Sequence, residues 1–164
     1  MSDKDTALSP VLKRCTFFQN LEPAERDVLI QSAEEVQLAA GERLFGLGEP
    51  MPRFYLILSG EVALTFSMKL RDEEKEITLE TKGEGSLIGW SALVRPHRST
   101  LGAKATEPTR LLAFERETLN KTFEDHPRIQ VVTQVNISEI IAGRLRTFEA
   151  LLVHDLKHWA SKVA

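Results

Sequence analysis

The sequence predicts a mainly β fold with flanking helices: a β-roll, or jelly roll, with N-terminal helices before it and one long C-terminal helix after it. Three observations predict it. Between residues 35 and 114, β-forming residues gather in runs of about five to seven, split by turn residues. On either side, the apolar spacing changes to three and four residues. The last of these stretches is long, from about Arg128 to about Trp159. A chain of 164 residues with 42% hydrophobic content has the size and composition of one ordered domain.

Residues 1–34 are expected to hold the N-terminal helices. "ALSPVLKRC" is a short helix candidate and "LEPAERDVLIQSA" a better one. Pro23 suits a first helical turn, acidic residues favour that end, and Leu21, Val28, Leu29 and Ser32 share a side. Residues 35–114 should form the roll. "EEVQLAAGERLF" reads as strand, turn at Gly41, strand. "RFYLILSG" and "EVALTFSM" read as two strands joined tightly at Ser59-Gly60. "KLRDEEKEI" reads as a charged hairpin loop leading to "ITLE". "LGAKAT" and "RLLAF" are strands separated by Glu107-Pro108. Residues 115–164 return to helix: "ERETLNKTF", stopped by Asp125 and Pro127, and then the long segment. Its apolar stripe runs through Val132, Val135, Ile137, Ile140, Ile141, Leu145, Phe148, Leu151 and Leu152.

Composition narrows the function. A formal net charge of -3 does not give the basic excess usual in a nucleic-acid binder, so no specific nucleic-acid partner is expected. The single cysteine, Cys15, rules out an intrachain disulfide. The start carries no basic-then-apolar leader, and no apolar run approaches the ~20 residues of a membrane span. A cytoplasmic domain with no membrane partner is expected.

The stretch that carries chemistry is "GEGSLIGWSALVRPHRSTLGAKA", residues 83–105. Gly89 lets the backbone come close to a ligand and take dihedrals that a side chain would forbid. "WSALV" after it can start a short helix whose first N–H groups face an anion. Arg98 adds a planar cation matched to phosphate oxygens, and Ser99 and Thr100 add hydroxyl donors.

Together with "AAGERLFGLGEP" and "FYLILSGEVAL", this stretch resembles the cyclic-nucleotide-binding domain of the CRP/FNR-type regulators. The resemblance covers roughly Phe17 to Leu151, and residues 83–100 look like the family's phosphate-binding cassette. It implies contact of Arg98 and Ser99 with a cyclic phosphate, and backbone contact from Ser91 and Ala92. It implies cAMP or cGMP as the possible ligand. Where the family pattern has Gly-Glu, with the Glu accepting a hydrogen bond from the ribose 2′-hydroxyl, this chain has Gly89-Trp90. An indole has one donor and no acceptor. The candidate ligand-binding set is therefore Gly89, Trp90, Ser91, Ala92, Arg98, Ser99 and Thr100, with the phosphate half of the site kept and the ribose half lost.

Plainer roles exist for the same residues. Arg98 could pair with Glu84 or another surface acid. Trp90 could stack on a base or plug the space, and burial of a large aromatic favours the plug. His154 and His158 lie four apart on the long helix, but no third metal ligand is in view, so an exposed pair is expected. No histidine falls inside an expected strand and no nucleophile–base set is visible, which argues against a metal-dependent cupin or other enzyme. A full transcription factor would need a helix-turn-helix after the long helix. The expected function is a stand-alone, non-catalytic sensor that binds a small phosphate-containing ligand and signals through the C-terminal helix to an unidentified protein partner. The alternative is a ligand-independent interaction module. The length of the stripe points to a homodimer along the helix, through Ile137, Ile141, Leu145, Phe148 and Leu152.

Overall fold

A computed structural model of the chain describes residues 10–70 and 73–163. Residues 10–14 are helical and lead to a 3-10 turn, Thr16–Phe18, and then to α1, Pro23–Gln31. The first three residues of the "ALSPVLKRC" candidate lie outside the described residues. The start of α1 follows from its sequence. Pro23 stands in the first turn, and Glu22 and Glu25 form a reciprocal capping box.

Eight strands follow: β1 (Glu34–Leu38), β2 (Arg43–Phe45), β3 (Arg53–Ser59), β4 (Val62–Leu70), β5 (Glu73–Lys82), β6 (Leu87–Ile88), β7 (Gly102–Ala105) and β8 (Thr109–Glu115). They make two four-stranded antiparallel sheets, ordered β1-β8-β3-β6 and β2-β7-β4-β5. This is the predicted β-roll. Two details differ from the sequence reading. Ser59-Gly60 does not join a hairpin, because β3 and β4 lie in different sheets and the turn carries the chain between them. Gly60 has φ +88°, and a Cβ on it would lie 2.5 Å from Thr109 Oγ1 and 2.6 Å from the Pro108 carbonyl. Only glycine fits that crossing. The second difference is the charged run after Lys69. It is mostly strand, not loop: β5 begins at Glu73 and pairs with β4 from Leu70↔Glu73 to Val62↔Lys82. β5 is an edge strand with mostly exposed side chains, so charges cost it little.

The buried core includes an aromatic cluster in which Phe17 and Phe18 of the 3-10 turn meet Phe54 of β3 and Phe114 of β8. Phe54 and Phe114 stack with centroids 4.9 Å apart. Two helices complete the chain: α2 (Arg116–Asp125) and α3 (Pro127–Val163). α3 has 37 residues, so it is about 55 Å long.

The face that α3 buries is not quite the predicted stripe. Ile129, Thr133, Asn136 and Ile137 are buried, whereas Val135 is 54% exposed. Ile137, expected on a pairing seam, packs instead in the chain's own core at 7% exposure. Asn136 explains the register. Its Nδ2 donates to the Phe17 carbonyl at 3.0 Å and to the Gln19 carbonyl at 2.7 Å, tying α3 to the turn after the first helix. From Leu145 to Lys162, every residue of α3 is exposed.

Candidate functional site

The cassette is held by the turn between β2 and β3. Ser99 N–H donates to the Glu49 carbonyl and Gly48 N–H to the Ser99 carbonyl, both at 2.9 Å. The buried Ser99 hydroxyl donates to the Gly46 carbonyl and accepts from Glu49 N–H at 3.0 Å. Glu49 is itself fixed: the Gly46 N–H, and then Arg43, hold its carboxyl below the usual range. Met51 N–H donates to the His97 carbonyl at 2.8 Å, and His97 Nδ1 lies 3.0 Å from the Ala92 carbonyl. His97 therefore braces the cassette turn.

Gly89 occupies the left-handed region, with φ 74° and ψ 26°. An added Cβ would lie 2.9 Å from Met51 Cε. Trp90–Ala92 form one 3-10 turn, in which the Ala92 N–H donates to the Gly89 carbonyl at 3.0 Å. That N–H is spent within the turn. Ser91 and Ala92 are buried, and Trp90 is half-buried.

Gly89, Trp90, Ser91, Ser99 and Thr100 come together around a cavity of about 20 Å³. Ala92 and Arg98 are not among its lining residues. Arg98 is exposed, and its Nη1 donates to the Gly48 carbonyl at 2.8 Å. Its suggested partner, Glu84, pairs with Arg14 instead.

The sequence reading missed Arg144. It lies on the buried face of α3, four residues after Ile140 and eight after Asn136, and that spacing was the available signal. Arg144 lines the small cavity and two further cavities, of about 570 and 260 Å³, and Trp90 lines the same three. The Arg144 side chain is only 16% exposed. Burial lowers its pKa, and Glu80, at 3.9 Å, opposes the shift. Its guanidinium also lies 5.5 Å from the centroid of the Phe148 ring. Trp90 and Arg144 thus form the junction between the cassette and α3. Among the described residues, no group of three or more His, Cys, Asp or Glu could hold a metal, and no helix is long and apolar enough to cross a membrane.

Comparison with known proteins agrees with this geometry. The chain is 26% identical over 139 residues to a CRP-like cAMP-activated global transcriptional regulator of Mycobacterium tuberculosis. That match covers 85% of this chain and 59% of the relative, so the chain spans little more than half of that protein. Among solved structures, the N-terminal domain of a transcriptional regulator from Streptomyces coelicolor is 29% identical with a TM-score of 0.70. The match covers 87% of this chain and 94% of that one. The Thermus thermophilus catabolite activator protein is 30% identical, also with a TM-score of 0.70, over 86% of this chain and 62% of that one. The sequence pattern described as "Cyclic nucleotide-binding domain" matches residues 35–126. The chain belongs to the cyclic nucleotide-binding domain family.

Proposed function

We propose that the chain is a non-catalytic regulatory module whose cassette state is passed to α3, and that it works as a homodimer through the exposed part of that helix. The observation that carries this reading is the shared position of Trp90 and Arg144. The residue that follows Gly89 meets a partly buried cation of α3 around the same cavity. That cavity, at about 20 Å³, is far below the roughly 300–1,000 Å³ of a small-molecule site. A phosphate group entering beside Ser91 and Ser99 must displace the indole or the guanidinium. Either movement is felt by α3.

The regulatory role is supported by the named relatives, which are transcriptional regulators. The cAMP in the name of the Mycobacterium tuberculosis relative supports a cyclic nucleotide as the ligand class. Arg98, Ser99 and Thr100 would serve its phosphate, but Trp90 gives its ribose hydroxyl no acceptor. Pairing is supported by the exposed end of α3, where Leu145, Phe148, Leu152 and Leu156 are 41–60% exposed. Solvated apolar residues at these spacings are what a second helix covers.

A thermal-shift screen with cAMP, cGMP and inorganic phosphate, run beside sedimentation velocity, tests the reading. A ligand at one hundred times its dissociation constant stabilises by about 2.7 kcal/mol. Stabilisation that is lost in Arg98→Ala, in a chain that sediments as a dimer, supports it. A monomer at high concentration contradicts the pairing. The small volume of the cavity favours a second reading, a pairing module that needs no ligand. A dimer that no anion stabilises would select it.

A further inference from the structure

The geometry points to a second ligand site, walled by Trp90 and the first residues of the cassette segment, that takes a small organic anion. It does not depend on ligand binding at the cassette. The cavity has about 570 Å³ and is bounded by the N-terminal helical turn, the end of β5, the β5–β6 turn and one face of α3. That is the volume of an ordinary small-molecule site.

Three features of its wall select the ligand. The first is charge. Arg14, Lys82, Arg144 and Arg146 line it, against Glu80, Glu84 and Glu139. Glu84 is already paired with Arg14 and Glu80 with Lys82. Among the described residues, Arg144 therefore has the shared carboxylate of Glu80, at 3.9 Å, and the Phe148 ring, at 5.5 Å, for a side chain that is 16% exposed. A buried guanidinium so weakly partnered gains most from an anion that brings two oxygens to its fork. The second is Gly143, which stands inside α3 and lines the cavity. Glycine is the poorest residue for a helix interior after proline. Packing does not require it here, since a Cβ would meet only Arg146 Nη2, at an ordinary 3.8 Å. What the missing side chain leaves is room against the helix backbone beside Arg144. The third is the indole of Trp90, which is part of the wall and is a side chain on which a ring can pack.

The ligand is thus a flat ring bearing one acidic group. Benzoate and phenyl phosphate are the probes, with benzamide as the neutral control, each at millimolar concentration. The reporter is Trp90 fluorescence in a Trp159→Phe background, since Trp159 lies far along α3 at 64% exposure. One or both anions should change the fluorescence saturably while benzamide does not, and which anion does so separates a carboxylate site from a phosphate site. Arg144→Gln should weaken the binding about ten-fold or more. Gly143→Ala should also weaken it while raising the thermal midpoint, because it improves the helix and puts a methyl group on the cavity wall beside Arg144. That opposite pair of effects shows that lost binding is not lost folding. Arg144→Lys, which keeps the charge without the fork, should fall between wild type and Arg144→Gln. A loss in Gly143→Ala, whose residue lines this cavity and neither of the other two that Arg144 reaches, with binding kept in Arg98→Ala, speaks for this cavity, whereas the cassette reading stands or falls with Arg98→Ala. Failure of both anions to bind saturably, or binding unchanged in Gly143→Ala and Arg144→Gln, would overturn the inference.

Discussion

Replacing Asn136 by alanine should destabilise the protein by about 1–4 kcal/mol, because it cuts a polar tie between α3 and the N-terminal 3-10 turn. Asn136 is 1% exposed, and its amide donates to the Phe17 and Gln19 carbonyls. The Phe17 carbonyl is in buried surroundings, and a buried acceptor left without a donor costs about 1–3 kcal/mol. Gln19 is exposed and its carbonyl regains water, so losing that bond costs about 0.5–1.5 kcal/mol. Alanine's better helix propensity returns about 0.5 kcal/mol. For a chain of 164 residues, the net loss lowers the melting midpoint by about 2–16 °C. Urea unfolding followed by circular dichroism measures it, with an unchanged m-value as the sign that only stability moved. A loss below about 0.5 kcal/mol would refute the reasoning, since water would then be replacing the amide.

Other outcomes follow from the same geometry. Gly60→Ala should cost about 2–4 kcal/mol in a urea titration, from left-handed strain and the contacts with Pro108 and Thr109, and a neutral result would show that the turn can relax. Burial raises the Cys15 pKa from 9.0 to about 11. The folded chain therefore keeps a proton that the unfolded chain releases, and stability should fall as pH rises from about 9 to 11. A Cys15→Ala variant should lose that part of the slope, and iodoacetamide should label Cys15 of the native protein only slowly near neutral pH. If the chain pairs as proposed, Ile141→Glu should shift it toward monomer in sedimentation velocity by placing a charge at the edge of the apolar end of α3, and an unchanged dimer would move the interface elsewhere.

The roll was readable because its signals are local. Alternating apolar runs, turn glycines at 41, 48 and 60, and the Pro127 boundary before α3 are all written in neighbouring residues. What was not readable depends on residues far apart in the chain. Nothing near Ser59-Gly60 says that the next strand joins the other sheet, since that is set by contact with Pro108 and Thr109 some 48 residues on. The buried face of α3 was misplaced for a related reason. A stripe drawn through apolar residues alone skips Asn136, Thr133 and Arg144, whose polar atoms find partners on other elements or within the helix. Glycines and an arginine mark out residues 83–100 in the sequence, but the direction of the Arg98 side chain toward Gly48 depends on a turn 50 residues earlier.

The measurement that tests the central claim most directly is calorimetric titration of cAMP into wild type, Trp90→Glu and the Trp90→Glu/Arg98→Ala double variant. If Trp90 closes a cassette that still holds its phosphate residues, the wild type binds weakly or not at all. Trp90→Glu restores an acceptor and opens the cavity, raising affinity about ten-fold or more, and removing Arg98 abolishes the gain. Micromolar binding of cAMP by the wild type, unchanged in Trp90→Glu, would contradict the account.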